Sequence, residues 1–115
     1  MSAFTALALA VQITAYIHGH HTGTIGVDGN PILPGLTCSV SQDMAHLQGK
    51  WIIIRGYGPR FVNDFMAKGR KQSIDLCVAD MAEAREVARQ KSEIIGVSQD
   101  TYERKSLTKA KKPVD

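Results

Sequence analysis

Five cations and three aromatic rings fall between Arg55 and Lys71, opposed by a single acid, Asp64, so this stretch carries +4. Cations at that density displace counterions from phosphates, and aromatic faces interleaved with them can stack bases. Arg55, Arg60, Lys68, Arg70 and Lys71 are therefore the expected phosphate contacts, with Tyr57 and Phe61 as stacking platforms. Gly56, Gly58 and Gly69 would let such a loop follow a nucleic-acid backbone. The competing use of Phe61 and Phe65 is an i, i+4 pair that packs a helical turn on the core and leaves the charges solvated.

Other chemistry is thinner. His18, His20 and His21 form an H-x-H-H cluster, in which His18 and His20 of a strand would share one side. A structural zinc site needs four ligands, and Asp28 and His46 could complete one only through folding, so plain turn histidines are expected and no metal is assigned. Gly19, Gly23 and Gly26 match no phosphate-loop or dinucleotide spacing. Cys38 and Cys77 sit in apolar runs, form no C-x-x-C, and read as reduced core thiols. Asp64 and Asp75 read as isolated carboxylates, not an acid/base pair. No catalytic group and no cofactor is expected, and the chain reads as non-enzymatic.

Charge placement carries more. Residues 1 to 49 contain no Lys or Arg and only Asp28 and Asp43, whereas residues 50 to 115 hold 14 basic against nine acidic groups. A basic tail, Arg104 to Lys112, adds to the basic loop. This asymmetry predicts one face for a polyanion, with nucleic acid as the expected partner, and one uncharged half buried against itself or a second copy in a homodimer. The alternative is a protein-interaction module, or a small inhibitor, docking through that uncharged half. The apolar stretch Ala3 to Ile17 lacks preceding cations and is too short to span a bilayer, so no membrane association and a cytoplasmic location are expected.

The elements that must position these residues follow from periodicity. Alternation from about residue 9 to Ile17 predicts a half-buried strand. Short strands are expected at Thr24 to Val27, Leu36 to Val40 and Ile74 to Val78, and Asp28-Gly29-Asn30-Pro31 signals a turn. Ser41 would cap a short helix near 42–48, and Lys50 to Tyr57 reads as the central strand. Asp80 with Glu83 forms a capping box opening a helix over about 80–95, with Met81, Ala84, Val87, Ala88, Ile94 and Ile95 on one apolar face and Gly96 as its stop. The resulting expectation is an α+β domain over 1–97: an antiparallel or mixed sheet of about five strands, the long helix packed on one face, and a flexible basic tail over 98–115.

Trp51 in a strand, then Gly69-Arg70-Lys71, then Val78-Ala79-Asp80-Met81-Ala82-Glu83-Ala84, resembles the three-strand-plus-helix arm-type DNA-binding domains of phage integrases. The resemblance covers about residues 50 to 90. It implies a sheet that enters the major groove of DNA and a regulatory or accessory role in a phage or mobile element.

Overall fold

The computed structural model describes residues 4–19, 24–87 and 89–100. Six strands close into a barrel. In chain order the elements are β1 (Phe4–Ile17), β2 (Thr37–Val40), a 3-10 turn (Gln42–Leu47), β3 (Trp51–Ile54), β4 (Gly58–Phe65), β5 (Ser73–Val78), α1 (Met81–Val87) and β6 (Gln90–Ser98). Around the barrel the order is β1-β5-β2-β4-β3-β6, with β6 returning to β1. The β1–β5 and β2–β4 pairs are parallel and the other four antiparallel. Closure pairs β1 on both sides from Gln12, whereas its first residues, from Phe4, pair with β6 alone and leave Phe4 and Leu7 exposed.

Period two sorts each strand into two faces. Val11 and Ile13, Cys38 and Val40, Ile52 and Ile54, Ile74 and Leu76, and Ile94 point inward to one buried core, alternating with outward Thr14, Ser39 and Asp75. Side chains fill a barrel of this strand number, leaving a packed interior and not a channel.

The expected open sheet under a long helix is overturned. The Asp80 cap forms, its carboxylate accepting the Glu83 amide (3.0 Å), while the Glu83 carboxylate reaches one residue past the cap and accepts from the Ala79 amide (3.2 Å). The helix nevertheless ends at Val87, Arg89 has a left-handed φ of 34°, and the chain turns into β6. The apolar residues assigned to the far end of the helical face, Ile94 and Ile95, are a β-branched pair whose neighbours alternate, which suits a strand. Gly96 is no helix stop. It lies in β6 opposite Ile53, where an added Cβ would meet the Ile53 Cδ1 at 3.3 Å. β4 falls on the segment the sequence leaves unassigned, because Gly58-Pro59 opens it and a bulge interrupts its alternation. The integrase-like sheet-and-helix arrangement is absent, since the residues that carry it are distributed around a closed barrel.

The short helix near 42–48 is a kinked 3-10 turn. Ser41 does not cap it: the hydroxyl bonds Asp43 and accepts the Ser73 amide (3.0 Å), tying the turn to β5. Between Ile25 and Pro31 only an isolated bridge forms. The basic tail beyond residue 100 and His20 and His21 lie outside the described residues. Among the described residues no helix is long and apolar enough to cross a membrane.

One bulge organises the segment that precedes β2. β2 and β4 shift register between Cys38 and Ser39, and Asn63 is the extra residue on β4. Asn63 is fully buried. Its carbonyl accepts the Val27 amide (2.9 Å) and its side-chain amide donates to the Pro31 carbonyl (3.1 Å), so residues 26–31 are laid across β4. The approach is so close that a Cβ on Gly26 would stand 2.2 Å from the Asn63 carbonyl oxygen. Gly26→Ala must push the segment away, and a loss of about 1–3 kcal/mol in unfolding free energy is expected from urea titration. An unchanged midpoint would show that the contact is not needed.

Candidate carboxylate groove

The bulge also sets the register that matters for chemistry. Ser39 pairs with Asp64 of β4 on one side and Asp75 of β5 on the other, and Asp75 pairs in turn with Thr14 of β1. Asp64, Ser39, Asp75 and Thr14 thus form one row across four neighbouring strands, on the outward face. Two strand spacings separate the Asp64 and Asp75 backbones, roughly 10 Å.

The row floors a groove. One hollow of about 170 Å³ is lined by Tyr16, Ser39, Asp64, Phe65 and Asp75, among others. A second, of about 310 Å³, lies beside it and is lined by Thr14, Met66, Arg70, Asp75 and Arg89, among others. Met66 and Asp75 line both, so Asp75 stands where the two hollows adjoin.

Both carboxyls titrate above the ordinary range. Burial raises Asp64; a backbone hydrogen bond from Phe65 partly offsets this, and the charge of Asp28 raises it further. Burial also raises Asp75, offset by the Thr14 hydroxyl, which donates to Oδ1 at 2.7 Å, and by the charge of Arg70. Asp28 is set near Asp64 by the same segment that Asn63 holds down. Its carboxylate accepts the backbone amide and the side-chain amide of Asn30, both at 2.9 Å. Tyr16 has its hydroxyl pushed well up by burial, partly offset by a side-chain hydrogen bond with Ser39, and the same hydroxyl stands against the Cys77 thiol.

The two cysteines fall on opposite faces of the sheet, Cys38 inward and Cys77 outward, both free and buried. Burial pushes their thiols up to about 12 and about 11, so neither is an activated nucleophile. Among the described residues no three of His, Cys, Asp and Glu come together as a metal-binding group.

The residues expected to grip nucleic acid are divided by the fold. Arg55 is ion-paired with Glu93, and the Tyr57 hydroxyl donates to the Gln90 side chain at 2.9 Å. Arg60 is half-buried, its Nη1 donating to the Tyr57 and Pro59 carbonyls at 2.8 and 2.9 Å. Phe61 is fully buried and cannot stack on a base; it meets Trp51 edge to face, with ring centroids 5.3 Å apart. Nor is it half of a helical turn with Phe65, since both belong to β4. Lys68, Arg70 and Lys71 are exposed on the β4–β5 connection, past the other end of β4. An eight-residue strand is roughly 23 Å long, so the two cationic groups occupy opposite ends of the barrel.

In the sequence Asp64 and Asp75 stand eleven residues apart and read as isolated. The signal present was a charged residue inside an apolar strand, Asp75 between Ile74 and Leu76, which places it outward; which strands become neighbours is not written in that alternation. No family model matches the chain, and no curated protein or solved structure matches it either.

Proposed function

We propose that the groove is an acid–base site that cleaves glycosidic bonds in a polysaccharide, with Asp64 as general acid and Asp75 as general base. The observation that carries the reading is the pairing of Ser39 with both aspartates, which puts two carboxyls of raised affinity for protons into one trough. Two carboxylates without an activated nucleophile suit glycoside hydrolysis by inversion, in which they stand far enough apart, roughly 6.5–9.5 Å, to admit a water. Asp64 has the negative Asp28 for a neighbour, which favours its protonated form. Asp75 has the Thr14 hydroxyl and Arg70, which favour its charged form. Asp64 gives its proton to the leaving glycosidic oxygen while Asp75 takes one from the attacking water. The carbon–oxygen bond breaks, the new hydroxyl forms on the anomeric carbon, and solvent resets both carboxyls. Adjoining hollows on the two sides of Asp75 offer places for successive units of a chain-like substrate.

The test is release of new reducing ends from a panel of purified polysaccharides, with the first anomer formed read by proton NMR. Release with inverted configuration supports the reading. No release from any member across the acidic to neutral range removes it.

A second reading, binding of a nucleic acid or another polyanion, is favoured by the exposure of Lys68, Arg70 and Lys71, none of which has a salt bridge among the described residues. Arg70→Ala with Lys71→Ala is then expected to weaken binding to a labelled DNA or RNA, and wild-type affinity should fall steeply from low to moderate salt in fluorescence anisotropy. Salt-independent affinity would contradict it. For a homodimer, the support is the exposure of Phe4 and Leu7 at the start of β1. A cytoplasmic location fits the two free, buried cysteines.

A further inference from the structure

The barrel mouth beside the β3–β4 turn opens into a cavity of about 770 Å³, within the size range of small-molecule sites, and barrel mouths are a common place for them. It shares no lining residue with the carboxylate groove. Leu76, Val78 and Val87 give it an apolar wall. Arg60 reaches it from the barrel-facing side of β4, where it pairs with the core residue Ile52.

Arg60 is held but not used up. Its Nη1 is fixed by two main-chain carbonyls, while its Nε is buried and has no hydrogen-bond partner among the described residues. A buried donor in that state carries an unrecovered desolvation cost; Nε has almost no exposed surface, so a ligand oxygen seated on the guanidinium relieves that cost only with a small turn of the side chain. A guanidinium with a fixed plane is the side chain best matched to a carboxylate. Glu86 of α1 lines the same cavity and has no salt bridge among the described residues, whereas Arg55 is already paired with Glu93. Glu83 of α1 lines the cavity as well, and beside Arg60 the one cation there without a salt bridge among the described residues is Lys91, so the two helix carboxylates favour an ammonium next to the carboxylate held by Arg60.

We propose that the barrel mouth binds an α-amino acid with an apolar side chain: its carboxylate on Arg60, its ammonium facing Glu86, and its side chain against Leu76, Val78 and Val87. The groove is not needed for this, so the two sites can be tested apart.

The experiment follows the Arg60 Nε–H resonance of the full chain by NMR during titration with L-leucine, with leucinamide (no carboxylate) and isocaproate (no ammonium) as separate arms. L-leucine is expected to shift the resonance saturably, isocaproate to do so severalfold more weakly, and leucinamide not at all. Arg60→Lys, which keeps the charge and loses the Nε donor, should weaken leucine binding severalfold, measured by calorimetry. Glu86→Gln, at an exposed position, should bring leucine down to the level of isocaproate, and Asp64→Asn should leave leucine binding unchanged. An Arg60 resonance unmoved by leucine at tens of millimolar, or leucinamide binding as well as leucine, overturns the proposal.

Discussion

Asp64→Asn and Asp75→Asn are each expected to lower the rate of glycosidic cleavage by roughly 10²–10⁴, the usual contribution of a positioned acid or base. Neither should lower thermal stability at neutral pH. Each carboxyl binds its proton more tightly in the folded chain than in the unfolded one, where the ordinary value is about 3.9. Between that value and the raised one, the folded state holds more protons, so stability falls as pH rises through the window and then stays reduced. An asparagine carries no such penalty. In Asp75→Asn the new side-chain carbonyl can still accept the Thr14 hydroxyl, which keeps the row intact. Variants that lose activity and keep or gain melting temperature above pH 6 meet the expectation; variants that lose both by unfolding would mark these residues as structural.

Phe61→Ala is expected to cost about 3–5 kcal/mol, the range for truncating a large buried aromatic. The ring has no exposed surface, and its edge-to-face contact with Trp51 adds to what burial alone provides. A loss of that size is a large share of the stability of a small domain, roughly 5–15 kcal/mol, so a marked fall in the urea midpoint should accompany it. A base-stacking role predicts the opposite pattern, with weaker nucleic-acid binding and little change in stability. Equilibrium unfolding beside anisotropy distinguishes the two. A variant that is fully stable but no longer binds would show the ring to be in the wrong place.

The contrast between these residues explains what the sequence could and could not convey. Alternation marked β1 and β5 and the central apolar run of β3, because inward and outward positions follow directly from period two. The start of α1 was legible in Asp80 and Glu83, whose bonds are local. Its end was not: Ala84, Val87 and Ile94 fit a helical face as well as they fit a short helix followed by a strand, and the left-handed Arg89 that decides between them is an ordinary residue type. β4 was obscured by its proline and by the bulge at Asn63, which breaks the alternation a reader looks for. Closure of the barrel, and with it the meeting of Asp64 with Asp75 across Ser39, depends on which strands become neighbours. That is a property of contacts far apart in the chain. The basic segment misled for the same reason, since residues close in sequence were carried to opposite ends of one strand.

The central claim is that Asp64 and Asp75 share a groove that holds their protons beyond the ordinary carboxyl range. Carbon-13 NMR titration of the aspartate side-chain carboxyls tests it directly. Asp43 provides an internal reference, because the Ser41 hydroxyl and the Gln72 amide hold its carboxyl below the ordinary value. Asp64 and Asp75 are expected to titrate well above Asp43 and above the free-peptide value, and Asp28→Asn to lower the midpoint of Asp64. Titration of both at or below the free-peptide value would contradict it.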